Sequence, residues 1–365
     1  MNEPTTELKH HCRKSCASKV DWVDTQSELD ALTLKVVANQ QVSVRVIETF
    51  RERLSVLDLL ESLSVSTAVK NVALTSLAID ETNAAKLSSA LERPESSIST
   101  LQLNNLRPEG IAVLCQGLRR NSSLRELRLT FKKNISSGLL CLLLKTIKDM
   151  NNLRVVYLSR LEFDAQCITE LAEIIRFNTG IQDLTLCGCD FETSFRPVAE
   201  SIHEANAIKH LDISDNSLDD HDSLALLFKT SSILELIMSD NGFGSTCYQS
   251  QQVCDAFKYN TTLRSLDMGM NPVCLEFAQQ LEQAFDYNTT LLHCWFFVPL
   301  LPNDLVARIQ HIPALNEAGR GLLRQEKTEA SVKQLPLLMA RASHSPGLLF
   351  GLLQEDPIFF VTRAA

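Results

Sequence analysis

Residues 260–273 read NTTLRSLDMGMNPV. Leu266 and Met268 lie two apart, so an extended chain places them on one face, and Leu263 leads into that segment. Asn260 stands three residues ahead of Leu263, and Asn271 three residues past Met268. The same L-x-x-L-x-L pattern starts at Val69, Ile98, Leu124, Leu153, Ile181, Ile208, Ile233, Leu263 and Leu291. Its spacings are 29, 26, 29, 28, 27, 25, 30 and 28 residues, a mean of about 28. Self-similarity at such a period means that one small unit stacks on copies of itself.

Between the extended segments the apolar period becomes helical. Ile111, Leu114, Cys115 and Leu118 stand at i, i+3, i+4 and i+7, as do Leu140, Leu143, Leu144 and Ile147. Ile168–Ile175, Phe195–Ile202 and Ser250–Phe257 repeat the stripe. A strand followed by a full helix at every period predicts an α/β solenoid, with a parallel sheet on the inner curve and helices outside.

The joints carry a second regularity. Asn121, Asn151, Asn178, Asn206, Asn260 and Asn288 precede the strands, and Asn is read here as a left-handed helix stop. That placement accounts for the sequons at Asn121, Asn260 and Asn288 without glycosylation; Asn134 lies in a fourth. Eight residues after the strand start, Cys189, Asn216, Asn241 and Asn271 can bond backbone of neighbouring coils. Leu77, Leu106, Lys132, Leu161 and Pro299 depart from that pattern, so the early turns must be satisfied differently.

On these residues, sharpest in LDISDNSL at 211–218 and in 260–273, the chain resembles the ribonuclease-inhibitor subtype of leucine-rich repeats. The resemblance covers 69–299 in nine repeats and implies a horseshoe whose function is binding. The family shares no common ligand, so the fold alone names no partner.

The ends read differently. Residues 1–28 are polar and expected to be disordered. Residues 29–68 are expected to form an N-terminal cap: a hairpin of Leu32–Val37 and Val42–Val46 around Asn39-Gln40-Gln41, then a helix from Ile47 to Leu63, with room for one diverged repeat. Residues 300–365 are expected to form a helical tail, with three or four helices over 303–355, the last starting at Ser345-Pro346. The tail is expected to cover part of the last coil, which carries Trp295, Phe296 and Phe297.

Composition narrows the function. The 365 residues are 45% hydrophobic but only 6% aromatic, which suits many thin layers of medium-sized side chains. A net charge of −9 argues against a nucleic-acid partner and admits a basic one. The eleven cysteines are odd in number and scattered, as reduced, core-filling thiols of the cytosol or nucleus would be. The N-terminus shows no apolar leader, and no stretch is long enough to span a membrane. A cytoplasmic protein, with nuclear placement open, fits these features.

Side chains at alternate strand positions should face the concave side. They divide into a small polar zone, an Arg–aromatic zone of Arg128, Phe131, Tyr157 and Arg160, and an acidic strip of Asp183, Asp212, Asp215, Glu235, Asp240 and Asp267 with His210 among them. The strip is expected to hold a basic protein segment; solvation of an exposed sheet is the plainer alternative. His210 between two carboxylates lacks a nucleophile and an oxyanion arrangement. His10-His11-Cys12 with Cys16 lacks a second ligand cluster at zinc spacing, and no phosphate-binding glycine loop is present. The expectation is a non-enzymatic protein-binding scaffold or adaptor without metal or cofactor. Two further classes follow from resemblance: a small-GTPase regulator like the Ran GTPase-activating proteins, whose strongly acidic C-terminal tail PIFFVTRAA at 357–365 does not resemble, and an inhibitor masking a basic enzyme.

Overall fold

The computed structural model describes residues 22–48, 54–132, 135–191, 194–245, 250–321, 338, 340–342 and 345–355. Among these residues, ten strands form one parallel sheet: β1 (Ser43–Ile47), β2 (Asn71–Thr75), β3 (Thr100–Leu103), β4 (Glu126–Thr130), β5 (Val155–Ser159), β7 (Asp183–Cys187), β9 (His210–Asp212), β10 (Glu235–Ile237), β11 (Ser265–Asp267) and β12 (His293–Trp295). Two further short strands, β6 (Glu162–Phe163) and β8 (Asp190–Phe191), pair apart from it. Each pairing in the large sheet joins strands of successive coils, and the register keeps equivalent positions opposite each other from coil to coil. The fold is a leucine-rich-repeat solenoid.

The repeat leucines make the core. All nine pattern starts are buried, and so are the sixth-position residues from Leu74 through Ile213, Met238 and Met268 to Phe296. Helices cross between the strands: α1 (Gln26–Val37), α2 (Leu57–Leu63), α3 (Glu81–Leu91), α4 (Pro108–Arg120), α5 (Ser137–Asp149), α6 (Ala165–Phe177), α7 (Arg196–Ala205), α8 (His221–Lys229), α9 (Ser250–Lys258) and α10 (Leu275–Tyr287). Successive helices lie side by side. Their apolar stripes face the sheet: Ile111, Leu114, Cys115 and Leu118 of α4 are all buried. One continuous core runs from Leu29 to Ile309.

The N-terminal segment differs from the expected hairpin. Leu32–Val37 is helical within α1, because Leu29, Leu32 and Val36 bury one helical stripe and Thr25 Oγ1 caps the Glu28 amide at 3.4 Å. Ser43–Val46 of the expected second arm does belong to a strand, but β1 pairs parallel with β2 in repeat register. The sheet therefore begins one coil before the first recognised pattern. The expected helix from Ile47 is confined, among described residues, to α2. Residues 22–28 are structured: Val23 bridges to Val46, its amide bonding Arg45 O at 3.0 Å. Beyond β12, α11 (Asn303–Ala318) packs on α10 and β12, and α12 (Pro346–Glu355) packs on α11. The expected helix start at Pro346 is observed.

The pre-strand asparagines act through their side chains. Only Asn206 is left-handed, at φ 48°; Asn121, Asn178 and Asn288 have negative φ. Asn288 shows the common device. Its Nδ2 donates to Phe257 O at 3.0 Å in the preceding coil, and its Oδ1 accepts from the Thr290 and Leu291 amides at 2.9 and 3.0 Å. Asn121 and Asn260 do the same with Leu91 O and Phe228 O. A planar amide that donates backward and accepts forward locks one coil to the next.

Candidate functional site

The open face of the sheet presents two rows of side chains. Glu126, Val155, Asp183, His210, Glu235, Ser265 and His293 stand in one register line. Arg128, Tyr157, Thr185, Asp212, Ile237, Asp267 and Trp295 stand in the next. Adjacent members are separated by one strand spacing, about 4.8 Å.

The Arg–aromatic zone is partly realised. Arg128 pairs with Glu126 and sits over the Tyr157 ring, 5.8 Å from its centroid. Burial raises the Tyr157 phenol above its usual value, an effect partly opposed by a hydrogen bond with Ser159. Arg160 is exposed. Phe131 is not on the surface: it is buried in the core, its amide bonding Ser159 O. The chain does not take the left-handed turn at that residue that other coils take, so its ring packs inward.

The acidic strip is less uniform than its sequence. Asp183 pairs with His210 Nδ1. Asp212 is buried and folds back, Oδ1 accepting from the Ser214 amide at 3.0 Å and hydroxyl at 2.6 Å. Asp267 does likewise with the Gly269 amide at 2.9 Å. These two carboxylates shape the strand ends. Asp215 and Asp240 are exposed and Glu235 is half-buried. Thus the strip narrows to Asp215, Glu235 and Asp240 as its outward part.

The eighth repeat position explains how several of these side chains are aimed. Ser76, Arg160, Gly188, Asp215, Asp240 and Met270 all have φ between 57° and 65°. Each of these six coils bends through the left-handed region there and throws the side chain to the rim. Gly188 sits between two of them: a Cβ would meet Asp215 Oδ2 at 3.2 Å and Arg160 Cγ at 3.7 Å. The basic and acidic zones therefore adjoin.

Sequence reasoning understated the last coil. Phe296 is fully buried, yet Trp295, Phe297 and Met270 are 62%, 50% and 54% exposed on the concave side. The expected cover extends, among described residues, to the core side only, through α11. Strict alternation gave the signal, because Trp295 and Phe297 occupy the fifth and seventh positions while Phe296 occupies the inward sixth.

Other chemistry is sparse. Burial pushes the Cys189 thiol up to about 12, as suits a filler whose Sγ lies 3.7 Å from Leu158 O. No group of three or more His, Cys, Asp or Glu among the described residues is arranged to hold a metal. His10, His11, Cys12 and Cys16, and the sequon at Asn134, lie outside the described residues. No described helix is long and apolar enough to cross a membrane.

No protein-family model and no curated protein matches the chain. Solved structures do. Internalin C2 of Listeria monocytogenes is 15% identical with a TM-score of 0.38, over 73% of this chain and 92% of that one. Human 5T4, a trophoblast glycoprotein described as Wnt-activated inhibitory factor 1, is 16% identical with a TM-score of 0.42, over 67% and 84%. Leiomodin-1 actin-binding site 2 is 15% identical with a TM-score of 0.33, over 43% and 94%. The assignment of the fold rests on this chain's own repeat and sheet.

Proposed function

We propose that the protein is a non-catalytic interaction scaffold of the ribonuclease-inhibitor subtype, acting in the cytoplasm or nucleus. It binds a protein partner through a basic segment on the C-terminal half of the concave sheet. The observation that carries this reading is the outward carboxylate group Asp215, Glu235 and Asp240, held on adjacent coils beside a solvent-open sheet. Like charges at that spacing attract an opposite surface and speed its approach. The full helix in each coil and the period of about 28 residues support the subtype. Arg128, Tyr157 and Arg160 supply a second contact zone of the kind that anchors interfaces. The His210–Asp183 pair lies open to water, which suits recognition rather than proton transfer.

The test is affinity capture with the full chain, comparing the wild type with Asp215→Lys/Glu235→Lys/Asp240→Lys. Asp212 is left intact because its carboxylate holds the Ser214 turn. Loss of the captured proteins, with unchanged thermal melting, is the expected result. An identical captured set from both proteins would overturn the reading.

A further inference from the structure

The concave face ends in an apolar platform that nothing described covers. Trp295 lies on β12, the edge strand of the sheet. Its ring lies across Gly269: a Cβ there would meet Cδ1 at 2.7 Å and Nε1 at 2.9 Å. A side chain at 269 would displace the indole, which fills the place of the missing one. Phe297 and Met270 flank it, tied by the bond from the Met270 amide to Phe297 O at 2.8 Å. Asp240 adjoins the same spot, its amide donating to Gly269 O at 2.9 Å. Three large apolar side chains, each at least half exposed, gather where the backbone of exposed Asp240 meets Gly269, and Asp267 Oδ1 stands 3.3 Å from where a Cβ on Gly269 would lie.

Apolar side chains clustered in water at this scale mark contact surfaces. Their neighbour decides the occupant. An uncharged apolar segment would strip water from Asp240 and return nothing, whereas a cation over the indole face meets both the ring quadrupole and the carboxylate. A guanidinium suits the pair better than an ammonium, because its plane stacks on an aromatic ring while its edge donates two parallel bonds to a carboxylate.

We infer that the Trp295–Phe297–Met270 platform, with Asp240, is a seat for an arginine side chain of a protein partner. The inference rests on the concave-face reading above and names the residue that this face selects. The partner segment enters along the acidic coils and its arginine stacks on Trp295 at the end of the sheet.

The chain has two tryptophans, so Trp22→Phe leaves Trp295 as the only indole fluorophore. The probe is the acetylated, amidated pentapeptide Gly-Arg-Gly-Arg-Gly, beside its lysine, citrulline and leucine counterparts. Trp295 emission is expected to change saturably with the arginine peptide, about tenfold more weakly with lysine, and not with citrulline. Asp240→Asn should weaken binding about tenfold, and Trp295→Ala, followed by calorimetry, should abolish it. Trp295→Phe should retain part of it, separating lost stacking from lost folding. Equal affinity for arginine and citrulline peptides, preference for leucine, or unchanged binding in Trp295→Ala overturns the inference. So does self-association in sedimentation that Trp295→Ala removes, which would give the platform to a second copy of the chain. If charge reversal abolishes partner capture while Trp295→Ala leaves it intact, the scaffold reading stands and the arginine seat falls.

Discussion

The two halves of the solenoid turn their corners by different chemistry. In the C-terminal half, buried asparagines do it. Asn216, Asn241 and Asn271 each donate to carbonyls of their own and the preceding coil: Asn241 Nδ2 to Ile213 O at 2.8 Å and Met238 O at 3.1 Å. Their Oδ1 atoms accept from the coil before: Asn241 from the Asn216 and Leu218 amides at 3.2 and 2.9 Å. In the N-terminal half the same position holds Leu77, Leu106 and Leu161, all buried. There the turns satisfy one another through backbone. Ile79 bridges to Leu106, and β6 pairs with β8, stacking Phe163 on Phe191 at 5.0 Å between centroids. One half uses side-chain amides; the other adds a second, outer strip of parallel pairing closed by apolar packing.

The comparison predicts unequal damage. Asn241→Leu imports the N-terminal solution without the outer strand it needs, leaving the Asn216 and Leu218 amides unmet while the Ile213 carbonyl keeps its bond from Asn216 Nδ2 at 2.7 Å. The loss should be about 4 kcal/mol in urea unfolding, with faster hydrogen exchange at those two amides. A cost below about 1 kcal/mol would show that water serves these turns and that the two solutions are interchangeable.

The C-terminal half also ends on a polar device, continued past the last strand. Asn316 of α11 donates to Asn288 O and Leu291 O at 3.0 and 2.8 Å, extending the pre-strand series by one coil. Arg320, fully buried, donates to Asn316 Oδ1, Phe285 O and Asn288 O and pairs with Asp286 at 3.2 Å. It neutralises the carbonyl end of α10. Arg320→Met keeps most of the stem and removes the charge, and should cost about 2–3 kcal/mol in the same measurement. No loss would mean that the last coil is held by apolar packing, as the first coils are.

On the N-terminal side the matching probe is Phe163→Leu. It keeps the β6–β8 pairing and thins the ring stack, so the expected loss is about 1–2 kcal/mol. A loss equal to that of Asn241→Leu would erase the distinction between the halves.

The same contrast explains what the sequence could and could not tell. Apolar repeats are legible because burial imposes spacing: every L-x-x-L-x-L start from Val69 to Leu291 is buried. The C-terminal asparagines were legible because a single residue type does the work. The N-terminal turns were not, because backbone bonds leave no side-chain signature. Coil β1 was hidden by an apparent hairpin, although Thr25 and Glu28 stand at helix-capping spacing ahead of Leu29. Concave residues were assigned by alternation alone, which located Arg128, Tyr157, Asp215 and Asp240. It erred at Phe131 and gave no hint that Asp212 folds onto Ser214.

One feature is common to both halves, and it bears on binding. The left-handed eighth position recurs at Ser76, at φ 65°, and at Met270, at φ 58°. Glycine adopts this region without strain, whereas other residues held there cost about 1 kcal/mol or more. Ser76→Gly and Met270→Gly should therefore each raise stability slightly, by about 0.5 kcal/mol once the greater freedom of glycine in the unfolded chain is subtracted. Thermal melting of the two variants checks this. Equal small gains in both halves would show that the bend is set by the coil itself, whichever chemistry closes the turn. Arg160, Asp215, Asp240 and Met270 would then be side chains kept at a strained position on the concave rim, where glycine serves the fold better. A surface that retains charge and apolar bulk against its own backbone preference has the composition expected of one selected for contact. A loss of stability in Met270→Gly, beside a gain in Ser76→Gly, would instead show that Met270 is needed to pack the Trp295 platform.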